Sequence, residues 1–193
     1  YGVENARISN DKNHKKYIDF CLDCSYYKGV CPQELQIKLP TIATYQPQNA
    51  LLAVEGACVL LGEEMKCNVT ENALATTVWS GRMEEVKPNL YVDGAHNEDG
   101  VEAFIATLKD NGVKGAILIF GVSADKDYRK MQKRLATELQ WERIVVVPLN
   151  NPRSAEPAVL RREFESFGCV DVYEEKRVKD ALWNLYSNRN PKR

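Results

Sequence analysis

Two continuous apolar runs, Ala116-Ile117-Leu118-Ile119-Phe120 and Ile144-Val145-Val146-Val147, restrict the fold of this chain more than any other feature. Neither alternates apolar with polar residues, so each reads as a strand buried on both faces, the mark of a parallel sheet. Around them the period becomes helical. Val101, Phe104, Ile105 and Leu108 mark one helix face, closed by Asn111-Gly112. Tyr128, Met131, Leu135 and Leu139 mark the next. Ser154 is expected to cap a helix carrying Leu160, Phe164 and Phe167, stopped by Gly168. A short run at 90–93 precedes this series. A weaker strand at 169–172 and a helix through Val178, Ala181, Leu182 and Leu185 follow it. The βαβαβαβα order predicts an α/β fold: a Rossmann-like, mostly parallel sheet flanked by helices, with right-handed crossovers.

Upstream the pattern differs. Tyr17-Ile18-Asp19-Phe20 and Leu35-Gln36-Ile37-Lys38-Leu39 alternate like half-buried strands, with Gly29 and Pro32 punctuating the turn region between them. From Pro47, residues Ala50, Leu51, Val54, Ala57, Cys58 and Leu61 recur at helical spacing up to Gly62. A second short helix is expected after Thr70 as N-cap, with Leu74 and Val78 inside it. The sheet is thus preceded by a small α+β segment. The domain boundary is expected near residue 78, giving domains 1–77 and 78–193.

The 193 residues carry a net charge of −1 and a pI near 6.2. That balance gives no footing for electrostatic capture of nucleic acid or an anionic membrane. The basic end, Arg189 to Arg193, reads as a solvated tail. No apolar run approaches the ~20 residues of a membrane helix, and Tyr1 to Lys16 is too polar for a signal peptide. Six scattered cysteines suit reduced thiols in a cytoplasmic protein. Cys21 and Cys24, with Cys31 and His14 nearby, lack the second pair of a zinc site, so no metal site is expected. Asn68-Val69-Thr70 reads as a loop ending in a cap, not a glycosylation acceptor. The chain begins without Met, in mid-pattern, and is expected to be a fragment.

Polar residues gather at the joints between elements. Tyr45-Gln46-Pro47-Gln48-Asn49 opens the first helix, and Trp79-Ser80-Gly81-Arg82 sits at the expected boundary. Asp93-Gly94-Ala95-His96-Asn97 follows the run Leu90-Tyr91-Val92, and Gly121-Val122-Ser123-Ala124-Asp125-Lys126-Asp127 follows the next strand. Ligands collect at the carboxyl ends of strands in open α/β sheets, and helix starts favour anions. Two adjacent strand ends bearing Asp93, His96, Ser123, Asp125 and Lys126 are therefore expected to form a polar crevice. Arg82, beside a hinge, has the planar fork that suits phosphate oxygens. Each residue also has a plainer reading. Asp93 can cap its own turn, His96 can sit satisfied at a helix start, and Arg82 can form a surface ion pair. Ser123 or Asp125 can cap the following helix, and Asn49 can be structural.

Taken together, YQPQN, WSGRMEEV, YVDGAHNEDG and VSADKDY resemble the folylpolyglutamate synthase/dihydrofolate synthase family of Mur-type ATP-dependent amide ligases, from about Tyr17 to about Ala181. The resemblance implies a ligase joining the γ-carboxylate of folate to the amine of glutamate, with dihydropteroate as a further acceptor in some members. ATP phosphorylates the carboxylate, the amine attacks the acyl phosphate, and phosphate leaves. It implies that Asn49 contacts adenine and that Arg82 reaches the ATP phosphates. Asp93 binds the nucleotide at its ribose hydroxyls, and His96 belongs to the same site. Arg82, Asp93 and His96 are thereby the candidate catalytic residues. Ser123, Asp125 and Lys126 match more loosely, as aids to the incoming glutamate.

The departures carry as much information. No Gly-x-x-x-x-Gly-Lys-Ser/Thr occurs in the chain. The family's Mg²⁺ ligands and carbamylated lysine fall upstream of Tyr1, and its last strand with a Gly-Ser end is missing. The chain is therefore expected to be a C-terminal domain preceded by the tail of a central ATPase domain. Its implied partners are folate, glutamate, ATP and its own N-terminal ATPase domain, and alone it is expected to be inactive. Two alternatives stay open: a Mur-type ligase of a peptidoglycan precursor, and a non-catalytic Rossmann-like nucleotide-binding module. The second lacks a Gly-x-Gly-x-x-Gly turn.

Overall fold

Alternation at Ile18, Phe20 and Leu22 dictates how the first sheet is buried. In the computed structural model, which describes residues 3–10, 16–23 and 34–188, these side chains belong to β2 (Lys16–Asp23). This strand lies between β1 (Val3–Asn10) and β3 (Glu34–Leu39) in an antiparallel sheet. Ile18 pairs with Leu39, Phe20 with Ile37 and Leu22 with Leu35, and all six are buried. Their shared face is closed by Ala50, Leu51, Val54 and Cys58 of α1 (Gln46–Leu61). The other face is polar: Ser9 donates to Asp19, and Lys38 Nζ lies 4.4 Å from the Tyr17 ring centre. Gly29, Pro32, His14, Cys24, Cys31 and the tail Arg189 to Arg193 lie outside the described residues.

The chain forms two compact units, Tyr1–Gly94 and Ala95–Arg193. Between α1 and the second unit lie α2 (Cys67–Thr76), β4 (Glu84–Lys87) and β5 (Leu90–Val92). Helix α2 starts four residues earlier than expected, at Cys67 and not after Thr70. Thr70 therefore lies inside it, its hydroxyl donating to the Lys66 carbonyl at 3.1 Å, and Val78 lies beyond its end. Asn68-Val69-Thr70 is accordingly helix, not loop. The 90–92 run is also corrected. It pairs antiparallel with β4, not with the parallel sheet. Pro88-Asn89 makes the reversal, with Asn89 at φ 61°, a conformation asparagine tolerates.

In the second unit β6 (Ala116–Phe120), β7 (Trp141–Val146) and β8 (Val172–Glu174) form a parallel sheet in that order. Leu118, Phe120, Ile144, Val146 and Val172 share a core with α3 (Glu98–Asp110), α4 (Tyr128–Glu138) and α5 (Pro157–Ser166). Val101 and Ile105 come from α3, Met131 and Leu135 from α4, Leu160 and Phe164 from α5. Phe164 meets Phe120 edge to face at 5.5 Å, and burial of each such ring contributes about 1.5–3 kcal/mol. Ile117, Ile119, Val145 and Val147 cluster instead with Ala181 of α6 (Val178–Asn188). Both faces are covered, which is why the strands read as continuous apolar runs. Gln132 is fully buried in α4, and its amide donates to the Leu160 carbonyl at 2.7 Å.

Three local expectations change here. Ser154 does not cap α5: its hydroxyl accepts the Leu149 N–H at 2.8 Å, and Pro157 starts the helix. Neither Ser123 nor Asp125 caps α4, whose N-cap position is Asp127. The last strand begins at Val172, because Cys169 still belongs to the end of α5. Its N–H bonds the Phe164 carbonyl while that of Gly168, at φ 92°, bonds Glu165.

Gly121 follows β6, where a Cβ would lie 2.8 Å from the Val147 carbonyl. Gly121→Ala is expected to cost about 1–3 kcal/mol. Gly56→Ala, on α1 with nothing within 4 Å, is expected to add about 0.5–1 kcal/mol. Urea unfolding midpoints check both. Tyr91 lies opposite Glu85 in the hairpin, and burial, then that charge, pushes its hydroxyl pKa up to about 12. An unfolded tyrosine ionises near ~10. The folded chain thus keeps a proton that the unfolded chain loses, so Tyr91's contribution is full below that value and disappears as pH rises through 12. The stability gap between the wild type and Tyr91→Phe should narrow across that window.

Candidate functional site

Gly81, Arg82 and Met83 form a tight reversal ahead of β4. Gly81 has φ 70° and Met83 φ 48°, and the Arg82 N–H donates to the Trp79 carbonyl at 3.3 Å. A left-handed methionine carries strain of about 1–3 kcal/mol, so something must hold it. Its side chain is buried, 2% exposed, and its N–H donates to Asp93 Oδ2 at 2.9 Å. Gly94 N–H donates to the Gly81 carbonyl at 2.7 Å, and Gly81 N–H to Glu84 Oε2 at 2.8 Å. The Arg82 turn and the end of β5 are thereby fastened by backbone as well as by carboxylate.

The same Oδ2 of Asp93 accepts the hydroxyl of Tyr45 at 3.1 Å. Burial raises the pKa of Tyr45 well above the ordinary phenol value. The Asp93 charge and hydrogen bond raise it further, and Arg82 partly opposes them. The phenol is therefore a donor at any working pH. The following helix is capped by another residue of the stretch. Asn97 takes that role in α3, its Oδ1 accepting the Gly100 N–H at 2.8 Å.

Arg82 and Asp93 thus meet in one turn of the first unit. Among the described residues the half-buried Arg82 guanidinium has no ion-pair partner. Asn49 is exposed in the first turn of α1, where its amide donates to Gln46 Oε1 at 2.7 Å. His96 is exposed just ahead of Asn97, in the second unit. Ser123 lies there too, in a backbone bridge with Ser154, and Asp125 and Lys126 are exposed in the loop after β6. The expected crevice between two adjacent parallel strand ends is not what the sheets give, because β5 belongs to its own hairpin.

The sequence reading assigned no role to Tyr45 or to the Met83 N–H. Tyr45 stood inside the quoted YQPQN stretch, but its partner lies 48 residues on. Among the described residues, no group of three or more His, Cys, Asp or Glu is arranged to hold a metal ion. No helix among them is long and apolar enough to cross a membrane.

The family profile described as Mur ligase, glutamate ligase domain matches residues 81–190. The dihydrofolate synthase/folylpolyglutamate synthase of Bacillus subtilis (strain 168) is 37% identical over 114 residues, 55% of this chain and 26% of that protein. The UDP-N-acetylmuramoyl-L-alanyl-D-glutamate--2,6-diaminopimelate ligase of Anaplasma marginale is 30% identical over 189 residues, 94% of this chain and 37% of that one. The structure of Mycobacterium tuberculosis folylpolyglutamate synthase complexed with ADP matches the fold with TM-score 0.77 at 21% identity, covering 96% of this chain and 40% of that one. The chain spans 26% to 37% of the length of these two sequence relatives. With more than half of its residues matched by that profile, the chain belongs to the Mur ligase family.

Proposed function

We propose that this chain is the C-terminal part of an ATP-dependent ligase that adds glutamate to the γ-carboxylate of a folate through an acyl phosphate. Dihydropteroate is a further candidate acceptor. In this reading residues 78–193 form the Mur-type C-terminal domain, and 1–77 are the tail of a central ATPase domain with which it works in the cytoplasm. The carrying observation is the Arg82 turn tied to Asp93 through the Met83 N–H. Arg82 neutralises phosphate charge, and Asp93 accepts from ribose hydroxyls. Asn49 reads the adenine, and His96 completes the nucleotide site. Ser123, Asp125 and Lys126 are assigned to the incoming glutamate. Mg²⁺ accompanies the ATP and supplies charge neutralisation at its phosphates. Catalysis in such phosphoryl transfer is mostly positioning and electrostatics, and both are contributions a fixed guanidinium and carboxylate can make.

The folate reading is supported by the relatives named folylpolyglutamate synthase, including that of Lacticaseibacillus casei at 32% identity over 75% of this chain. The diaminopimelate ligase likeness over 94% of the chain supports a second reading, a ligase of a peptidoglycan precursor. ADP release by the whole gene product separates them. Release that depends on tetrahydrofolate and glutamate supports the first. Release that depends on a UDP-linked muramoyl dipeptide and diaminopimelate supports the second. ATP binding without release in either mixture leaves a non-catalytic nucleotide module. The 193 residues alone, lacking a phosphate-cradling Gly-x-x-x-x-Gly-Lys-Ser/Thr loop, are expected to release no ADP. In the whole gene product, Arg82→Ala, Asp93→Asn and His96→Ala should each lower turnover about 100-fold or more, with the unfolding midpoint of Arg82→Ala and His96→Ala nearly unchanged. Near-normal rates in all three would remove the site assignment.

A further inference from the structure

Tyr45 breaks a local rule. It occupies the N-cap position of α1, with φ −84° and ψ −15°, and its side chain makes no capping bond. Ser, Thr, Asp and Asn are the residues that suit such a position, so the start of the helix does not explain a tyrosine there. Its hydroxyl instead crosses to Asp93 Oδ2 at 3.1 Å in a half-buried setting. The Met83 N–H reaches that same oxygen at 2.9 Å.

We infer that Tyr45 is a positioning residue for the nucleotide site: its hydroxyl fixes the Asp93 carboxylate and, through it, the peptide joining Arg82 to Met83. The inference rests on the reading of Asp93 and Arg82 as nucleotide-binding. One carboxylate oxygen shared by two donors from different segments has little freedom to rotate. The Met83 N–H belongs to the peptide whose carbonyl is that of Arg82, so this bond orients the backbone from which the guanidinium projects. The chemistry of the donors matters equally. A phenol and an amide are both neutral, so these two donors hold Asp93 in place without adding positive charge beside it. A lysine or arginine in the place of Tyr45 would hold it as well but cancel its negative charge, and weaken it as an acceptor for sugar hydroxyls. Burial and the neighbouring carboxylate keep the phenol protonated, so the donor persists across the working range of pH.

The test uses the whole gene product, with ATP and ADP as probes and Tyr45→Phe, Asp93→Asn and the double variant compared. Tyr45→Phe keeps the ring and deletes the hydroxyl. It should raise the KM for ATP and the Kd for ADP about tenfold, the loss of one well-placed hydrogen bond. The KM for glutamate and for the acceptor should move less than twofold. Tyr45→His, which restores an N–H donor, should recover part of the loss. Because Tyr45 acts through Asp93, the double variant should bind ADP no more weakly than Asp93→Asn alone. A KM for ATP within twofold of the wild type in Tyr45→Phe overturns the inference. So does a parallel loss toward all three substrates with a lowered unfolding midpoint, the signature of a purely structural tyrosine. If Asp93→Asn itself leaves ADP binding unchanged, the nucleotide-site reading fails. If Asp93→Asn weakens ADP while Tyr45→Phe does not, only the role of Tyr45 fails.

Discussion

A parallel sheet of three short strands persists in water only with both faces covered, and the connections within residues 95–188 serve that requirement. Helices α3, α4 and α5 supply one cover, through Ile105, Met131, Leu135, Leu160 and Phe164. Helix α6 supplies the other, through Ala181. The buried Gln132 adds direction to an otherwise non-directional core. Its bond to the Leu160 carbonyl ties α4 to α5 at one register, and burying that amide elsewhere would forfeit a hydrogen bond. The loop after β6 is held by the same economy. The Ala155 N–H bonds the Val122 carbonyl, and the Ala124 N–H bonds that of Arg153, so Ser123, Asp125 and Lys126 leave the sheet from a fixed base.

The first unit works by a different constraint. Its strained turn at Met83 is tolerable because a carboxylate is waiting for the N–H. That carboxylate stays put because a tyrosine from the start of α1 donates to it. Strain, carboxylate and phenol form one cooperative device. It sits beside Arg82, for which we propose a phosphate contact, and backbone strain tends to collect at functional sites.

Periodicity made the second unit legible. Buried runs gave β6 and β7, and the apolar stripes gave α3 to α6 to within a few residues, because each signal is local. The family resemblance rested on residues that are also local in sequence. What the chain did not announce was long-range or competitive. Strand β1, Val3–Asn10, is largely exposed and carries no alternation to notice. β5 looked like a sheet strand because Leu90-Tyr91-Val92 is apolar. Its antiparallel partner β4 is the polar stretch Glu84–Lys87, and the Pro88-Asn89 turn was the only clue. Thr70 and Ser154 have good capping chemistry, but a helix start at Cys67 and a loop bond to Leu149 claimed them first. The tie from Tyr45 to Asp93 spans 48 residues and has no expression in local pattern.

The start of α3 changes how mutational sensitivity in the Asp93–Asn97 stretch should be read. A Cβ at Gly100 would stand 2.8 Å from Asn97 Oδ1 and 3.3 Å from Ala95 Cα. Asn97 and Gly100 are therefore a matched pair, one offering the acceptor and the other the room to reach it. Evolution can hold both positions constant for the sake of a helix alone. In an alignment or a saturation scan, invariance at Asn97 and Gly100 is thus no vote for ligand contact. Among these neighbours, intolerance at Arg82 or His96 tests the proposed chemistry, that at Asp93 mixes it with support of the Met83 turn, and a scan that pools the whole motif would blur these pressures into one.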